Sequence, residues 1–191
     1  MDIAAHFGGN RRVGPLSAGI GVLKYMADPL SELPEITFWM LGGLWAVTEE
    51  SLFFITIPVV ISLVVLWGMR WRLNILTMDD RTAFSLGSAP GRERILLLTC
   101  ATVATSAVIS VSGVVSWVGL IVPHIARRIF TTDARYSIPA SMLIGGIYVL
   151  ACDVIARTAL EGELPLGVLT SFIGALLFIV LLSGRQIRRN A

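Results

Sequence analysis

The chain has 191 residues, of which 55% are hydrophobic and only 15% charged, with a mean hydropathy of +0.79. A soluble domain averages about 25% charged residues, and no soluble helical core needs four uncharged or nearly uncharged runs of about twenty residues, the length that crosses a bilayer. A net charge of +2 is too small to point to nucleic acid.

Residues 1–15 (MDIAAHFGGNRRVGP) are polar, glycine-rich and without period, which predicts an exposed tail. They lack the apolar stretch of a signal peptide. Leu16–Ala27 is apolar but short and carries Lys24, so it reads as half a span. After a polar linker from Asp28-Pro29, Leu33–Leu44 (LPEITFWMLGGL) opens with Pro34 and closes with Gly42-Gly43. It is too short to cross and predicts an interfacial or re-entrant helix, with Trp39 and Trp45 near the headgroups.

Ser51–Met69 is the first full span, uncharged and with a single proline, Pro58. It ends on Trp67 and the anchor Arg70-Trp71-Arg72. Residues 73–92 predict a polar loop with a short helical centre, opened by Asp79-Asp80, where a helix start favours negative charge, and closed by Gly87. Thr82, Ala83 and Leu86 form its uncharged side beside Asp79, Asp80 and Arg81. Both a solvated loop and a docking helix fit that pattern.

Ile95–Val115 is the second span, rich in the small residues that let helices approach closely in lipid. The stretch Gly113–Arg135 then turns at Trp117–Gly119 and re-enters apolar sequence. Proline removes a backbone donor, so a break is predicted at Pro123-His124 before the segment stops at Arg127-Arg128. Such a break at membrane depth must be covered by protein or water, which places this segment inside a multi-helix protein. Ile138–Leu160 is the next span, with Asp153 and Arg157 spaced to share a helix face. Glu161–Glu163 is a tight acidic loop. Leu164–Gly184 is the last span, with Gly167 and Gly174 on one face, and RQIRRNA closes the chain. The expected fold is all-α: a polytopic transmembrane bundle of about four to five spans, divided as a polar tail at 1–15, a membrane domain at 16–184 and a basic cytoplasmic tail at 185–191.

Loops 70–94, 127–135 and 185–189 hold eleven of the fifteen Lys and Arg residues, and the acidic residues gather in the intervening loops. By the positive-inside rule, the first set and the C-terminus are expected in the cytoplasm, and the loops near 30–50, 114–118 and 158–163 outside.

No phosphate-binding glycine loop, HExxH, CxxC or GxSxG occurs, so any ATP must be bound by a partner. Cys100 and Cys152 lie in apolar runs and read as small buried hydrophobes. His124 has no second ligand nearby in sequence, which favours a structural hydrogen bond over a metal site or proton relay. The Asp153–Arg157 pair fits either a structural ion pair or an Arg157 charge offered outward to an acidic partner, since snorkelling near the boundary lowers its cost.

The run GVVSWVGLIVPHIARRIF, with TDARYSIPAS after it, resembles the signature of the FecCD family, the permease subunits of ABC importers for iron-siderophores, haem, cobalamin and some oxyanions. LPEITFWMLGGL resembles that family's short re-entrant helix, LNILTMDDRTAFSLG its cytoplasmic coupling loop, and DVIART with ELPLGVLTSFIGALLFIVLL its last two spans. The resemblance covers Leu16 to Leu182 and implies a cobalamin-permease-like membrane domain. It implies that Asp79, Asp80, Arg81, Thr82, Ala83, Leu86 and Gly87 form a coupling helix on the ATPase. It implies that Arg157 docks a substrate-binding protein, and that Gly119, Pro123, His124 and Arg127 belong to a structural packing element. Asp79 stands where the family usually has Gly, and Thr82 where it usually has Ala.

The implied partners are an ATPase dimer carrying ATP and magnesium, a second permease subunit, an extracytoplasmic binding protein and the lipid bilayer. No cofactor or metal is expected on this chain, and no catalysis. The resemblance is to the C-terminal half of the family domain, which leaves a truncated, non-transporting membrane fragment as the alternative to an importer of an iron-siderophore or similar chelate. An intramembrane enzyme using His124 and Asp153 is disfavoured, because the two fall at opposite faces in this topology.

Overall fold

The computed structural model describes residues 3–45, 47–158 and 164–187, and among these every regular element is a helix. The chain divides into two compact units, Met1–Met40 and Leu41–Ala191.

In the first unit, α1 (Ile3–Met26) is one helix with Pro15 inside it. The expected tail 1–15 therefore has helical backbone from Ile3 onward. The turn that follows is built on Asp28, whose carboxylate accepts from the Leu30 N–H at 2.8 Å and whose carbonyl accepts from the Leu33 N–H at 3.0 Å. Such Asx geometry diverts the backbone from a helix into a turn. Helix α2 (Glu32–Leu41) then starts with Glu32 and Glu35 in its first turn, where the helix dipole favours them.

The second unit contains α3 (Glu49–Gly68), α4 (Arg70–Ile75), α5 (Asp80–Ser85), α6 (Pro90–Ser112), α7 (Val118–Ile129), α8 (Ala134–Thr158) and α9 (Leu166–Ile187). Three of these, α3, α6 and α8, are long and apolar enough to cross a membrane, and α9 is apolar over Leu166–Leu181. Thr48 caps α3 by accepting from the Ser51 N–H at 3.3 Å, and Pro90 opens α6 at a position where its missing donor costs nothing. Met69, at φ −90° and ψ 2°, ends α3 and starts α4. The span thus runs on into a further helical turn where the sequence suggested loop. The loop 161–163 and residues 188–191 of the tail lie outside the described residues.

Two packed sets make up this unit. Helices α3 and α6 lie together, α7, α8 and α9 pack on one another, and α4 touches the start of α8. The core is mostly small residues: Ala126, Ala140, Cys152 and Ala156 are buried with Ile121, Val122, Leu166 and Thr170. Large apolar side chains such as Phe53, Phe54, Val64, Leu143 and Ile147 point outward instead. That inside-out distribution suits a lipid solvent, where close backbone approach does the work that apolar burial does in water.

The predicted break at Pro123 does not occur: α7 is continuous through it. Proline deprives only the carbonyl four residues back of its donor. Here that residue is Gly119, in the first turn of a short helix, where little ladder exists to be interrupted.

Candidate functional site

The ends of the long helices sort into two faces. At one, α5 sits between α4 and α6. Asp79 caps it, accepting from the Arg81 N–H at 3.3 Å. Its far end closes as a Schellman motif, with Ser88 N–H on the Ala83 carbonyl at 3.1 Å and Gly87 N–H on Phe84 at 3.0 Å. Gly87 takes φ +78°, open to glycine at no steric cost.

The first turn of α6 holds this short helix from behind. Arg94 pairs with Asp80 at 2.8 Å and donates to the Leu76 carbonyl at 3.2 Å. Glu93 accepts from the Ser88 hydroxyl at 2.8 Å and pairs with Arg72 at 2.5 Å. Ala83 and Ser88 are buried against this support, while Phe84 is 73% and Leu86 57% exposed. Of the uncharged side formed by Thr82, Ala83 and Leu86, Ala83 is buried and Thr82 and Leu86 are exposed, and Phe84 is exposed with them. Which face of so short a helix turns inward is set by the support from α6, which lies farther along the chain and has no local signal.

Beside α5, the Asn74 amide donates to the Asp133 carboxylate at 2.6 Å, and its oxygen accepts from the Ala134 N–H at 2.9 Å. The Asp133 carboxylate also accepts from the Arg135 N–H at 2.8 Å. That backbone bond first, then the Asn74 amide and the Arg135 charge, hold its carboxyl below the ordinary aspartate range.

At the opposite face, three backbones meet. Gly43 N–H donates to the Ser112 carbonyl at 2.9 Å, and Gly167 N–H to the Gly42 carbonyl at 3.3 Å. A methyl on Gly42, at φ +73°, would stand 2.5 Å from the Val114 oxygen, and one on Gly167 would overlap the Leu41 and Val114 carbonyls. Arg157 lies next to this junction, its Nε 2.9 Å from Asp153 and its side chain 48% exposed. With Gly43, Leu44, Trp45, Leu164 and Leu166 the pair lines a cavity of about 10 Å³, room for one water.

Helix α7 joins the two faces. Trp117 starts it at φ +68°, a conformation few L-residues adopt, and its indole meets Phe178 edge-on at 5.9 Å. Gly174 of α9 faces Trp117 and Ile121 so closely that a methyl would sit 2.7 Å from the Trp117 Cβ. Around Gly119, by contrast, nothing approaches within 4 Å of where a methyl would be. Pro123 and His124 are half-buried and Arg127 exposed. Asp153 lies nineteen residues beyond the start of α8, about 28 Å along the helix axis, and no cluster of three metal-ligating side chains occurs among the described residues.

Residues 15–184 match the model of the FecCD transport family. The molybdate import system permease protein MolB of Haemophilus influenzae is 36% identical over 170 residues, covering 88% of this chain and 50% of that protein. The hemin transport system permease protein HmuU of Yersinia pestis is 30% identical over 175 residues, covering 91% and 52%. A solved structure described as an inward-facing metal-chelate type ABC transporter superposes with a TM-score of 0.86 at 34% identity, covering 90% of this chain and 56% of that one. The chain spans about half the length of the curated relatives it matches. Four sequence motifs in order, the superposition and the match over nearly the whole chain lead to one conclusion: the chain belongs to the FecCD transport family.

Proposed function

We propose that this chain forms the membrane-spanning permease part of an ATP-binding cassette importer, with an iron-siderophore or similar metal chelate as substrate. One observation carries the reading. Helix α5 is clamped from behind by Arg94 and Glu93 yet exposes Phe84 and Leu86 at the end of the bundle where basic residues gather. Large apolar side chains displayed on a rigid polar loop suit a protein partner, and the partner consistent with the family is a cytoplasmic ATPase dimer that binds ATP and magnesium. On this reading the α4–α5 face and the C-terminus lie in the cytoplasm of a multi-pass cell-membrane protein, and the positive-inside rule supports that orientation.

Arg157, at the opposite face, would offer its charge to acidic side chains of an extracytoplasmic substrate-binding protein. A second permease subunit would complete the pathway. ATP binding and hydrolysis in the partner would displace α5, and α4 would pass that displacement to α8 through Asn74 and Asp133. This chain's own residues perform no covalent chemistry in the proposal.

The test is uptake of a radiolabelled ferric siderophore into proteoliposomes holding the assembled complex. ATP-dependent accumulation that Phe84→Asp abolishes supports the proposal. Accumulation unaffected by that substitution removes α5 from the mechanism, and equal uptake without ATP removes the importer reading altogether.

A further inference from the structure

We propose that the pocket walled by Trp67, Gly68, Arg70, Trp71, Arg135 and Tyr136 binds the phosphodiester headgroup of an anionic phospholipid. The inference needs only that α3 crosses a bilayer, and is independent of what is transported.

The pocket is open and holds about 470 Å³. Two guanidinium groups stack on its aromatic walls, Arg70 at 4.3 Å from the Trp67 ring centroid and Arg135 at 2.9 Å from that of Trp71. Stacking presents a guanidinium edge-on to an anion and keeps its donors free for it. Among the described residues neither arginine forms an ion pair with a carboxylate, although Asp133 lies within electrostatic reach of Arg135. Arg70 Nη1 is buried with no acceptor. A guanidinium held without a protein acceptor for that donor is costly, and an anion seated in the pocket offsets the cost through the charge of the guanidinium as a whole.

The depth of the pocket and the shape of its surroundings point to a lipid. Trp67 and Gly68 are the last residues of α3, where hydrocarbon gives way to headgroups and where Trp, Tyr and Arg collect. Basic pockets between helices at this depth suit anionic headgroups. Below the pocket, Ile57, Ile61 and Val64 are 50%, 60% and 65% exposed and form one row along α3. Their helical spacing carries that row up to Gly68 itself, beside which a side chain would find nothing within 4 Å. An occupant with an anionic head and an apolar tail fits both parts, and a free anion would use only one.

The experiment is native mass spectrometry of the detergent-solubilised complex titrated with phosphatidylglycerol, phosphatidylcholine and inorganic phosphate. The expected result is a phosphatidylglycerol adduct whose affinity falls about tenfold or more in Arg70→Gln/Arg135→Gln, given that each basic residue near an anionic surface contributes appreciably. Arg127→Ala/Arg128→Ala, which leaves the pocket intact, should keep that affinity. Gly68→Leu retains both charges but fills the pocket, and should also lose the adduct. It decides the matter if the double variant does not assemble. Equal binding of phosphatidylcholine, or undiminished phosphatidylglycerol affinity in Gly68→Leu, would overturn the proposal. Displacement of the lipid by millimolar inorganic phosphate would make this a free-anion site and overturn the lipid assignment.

Discussion

The side-chain amide of Asn74 bridges to Asp133, fifty-nine residues away, donating to its carboxylate at 2.6 Å while accepting from the next backbone N–H. This clasp fastens the end of α4 to the start of α8, and so links the loop that carries α5 to the helix whose last turn holds Arg157.

A pH dependence follows from it. Because the native carboxyl of Asp133 is held below its ordinary value, its contribution to stability is fully present above the ordinary aspartate pKa and is lost as pH falls through the lowered native one. The melting temperature of the wild-type protein in detergent should drop on acidification through that window, and Asp133→Asn should drop less steeply. Parallel curves for the two proteins would count against the clasp. Asn74→Ala should lower the midpoint at neutral pH by a few degrees.

The packing glycines make a second prediction. Gly174→Ala forces a methyl against Trp117 and Ile121 and should destabilise the protein by about 1–3 kcal/mol. Gly146→Ala, in α8 with nothing within 4 Å, should be neutral or stabilising by about 0.5–1 kcal/mol. Equal melting temperatures for the two variants would show that Gly174 is not a tight contact.

The capping of α5 is testable on its own. Asp79→Ala removes the cap at a cost of about 1 kcal/mol, local to a six-residue helix. Hydrogen exchange at the Ala83 and Ser88 amides should speed up while exchange in α6 stays unchanged. Uniform acceleration across both helices would mean that α5 has no independent stability to lose.

Much of this architecture was legible in the sequence, for a physical reason. A bilayer demands runs of apolar residues with every backbone group satisfied inside the helix, so α3, α6 and α8 announce themselves by length and composition. Gly87 and Asp79 marked α5 because turn and cap chemistry is local. What escaped was whatever depends on partners distant in the chain. The Asn74–Asp133 clasp, the backbone junction of Gly42, Val114 and Gly167, and the seat of Trp117 on Gly174 have no local signature. Pro123 misled because the rule against proline in helices assumes a ladder on both sides, and α7 has barely one turn before it. The burial of Ala83 depends on the packing of α5 against α6, and grouping it with Thr82 and Leu86 by polarity alone hid the exposed Phe84.

Arg157 offers a contrast between stability and association. An exposed ion pair like that with Asp153 is worth only about 0.2–1 kcal/mol, so Arg157→Ala should hardly move the melting temperature. If Arg157 docks the substrate-binding protein, the same variant should weaken that association, with a shallower dependence on salt than wild type. Unchanged affinity would reassign Arg157 to a purely structural pair.

The most direct measurement is photo-crosslinking from the face of α5. Phe84, exposed there, is replaced by benzoylphenylalanine in the assembled transporter, and Phe54, exposed on α3, serves as the control. A crosslink to the ATPase subunit from Phe84 and none from Phe54 is what the account predicts. An adduct with the ATPase from neither, in a complex that still hydrolyses ATP in response to substrate, would contradict it.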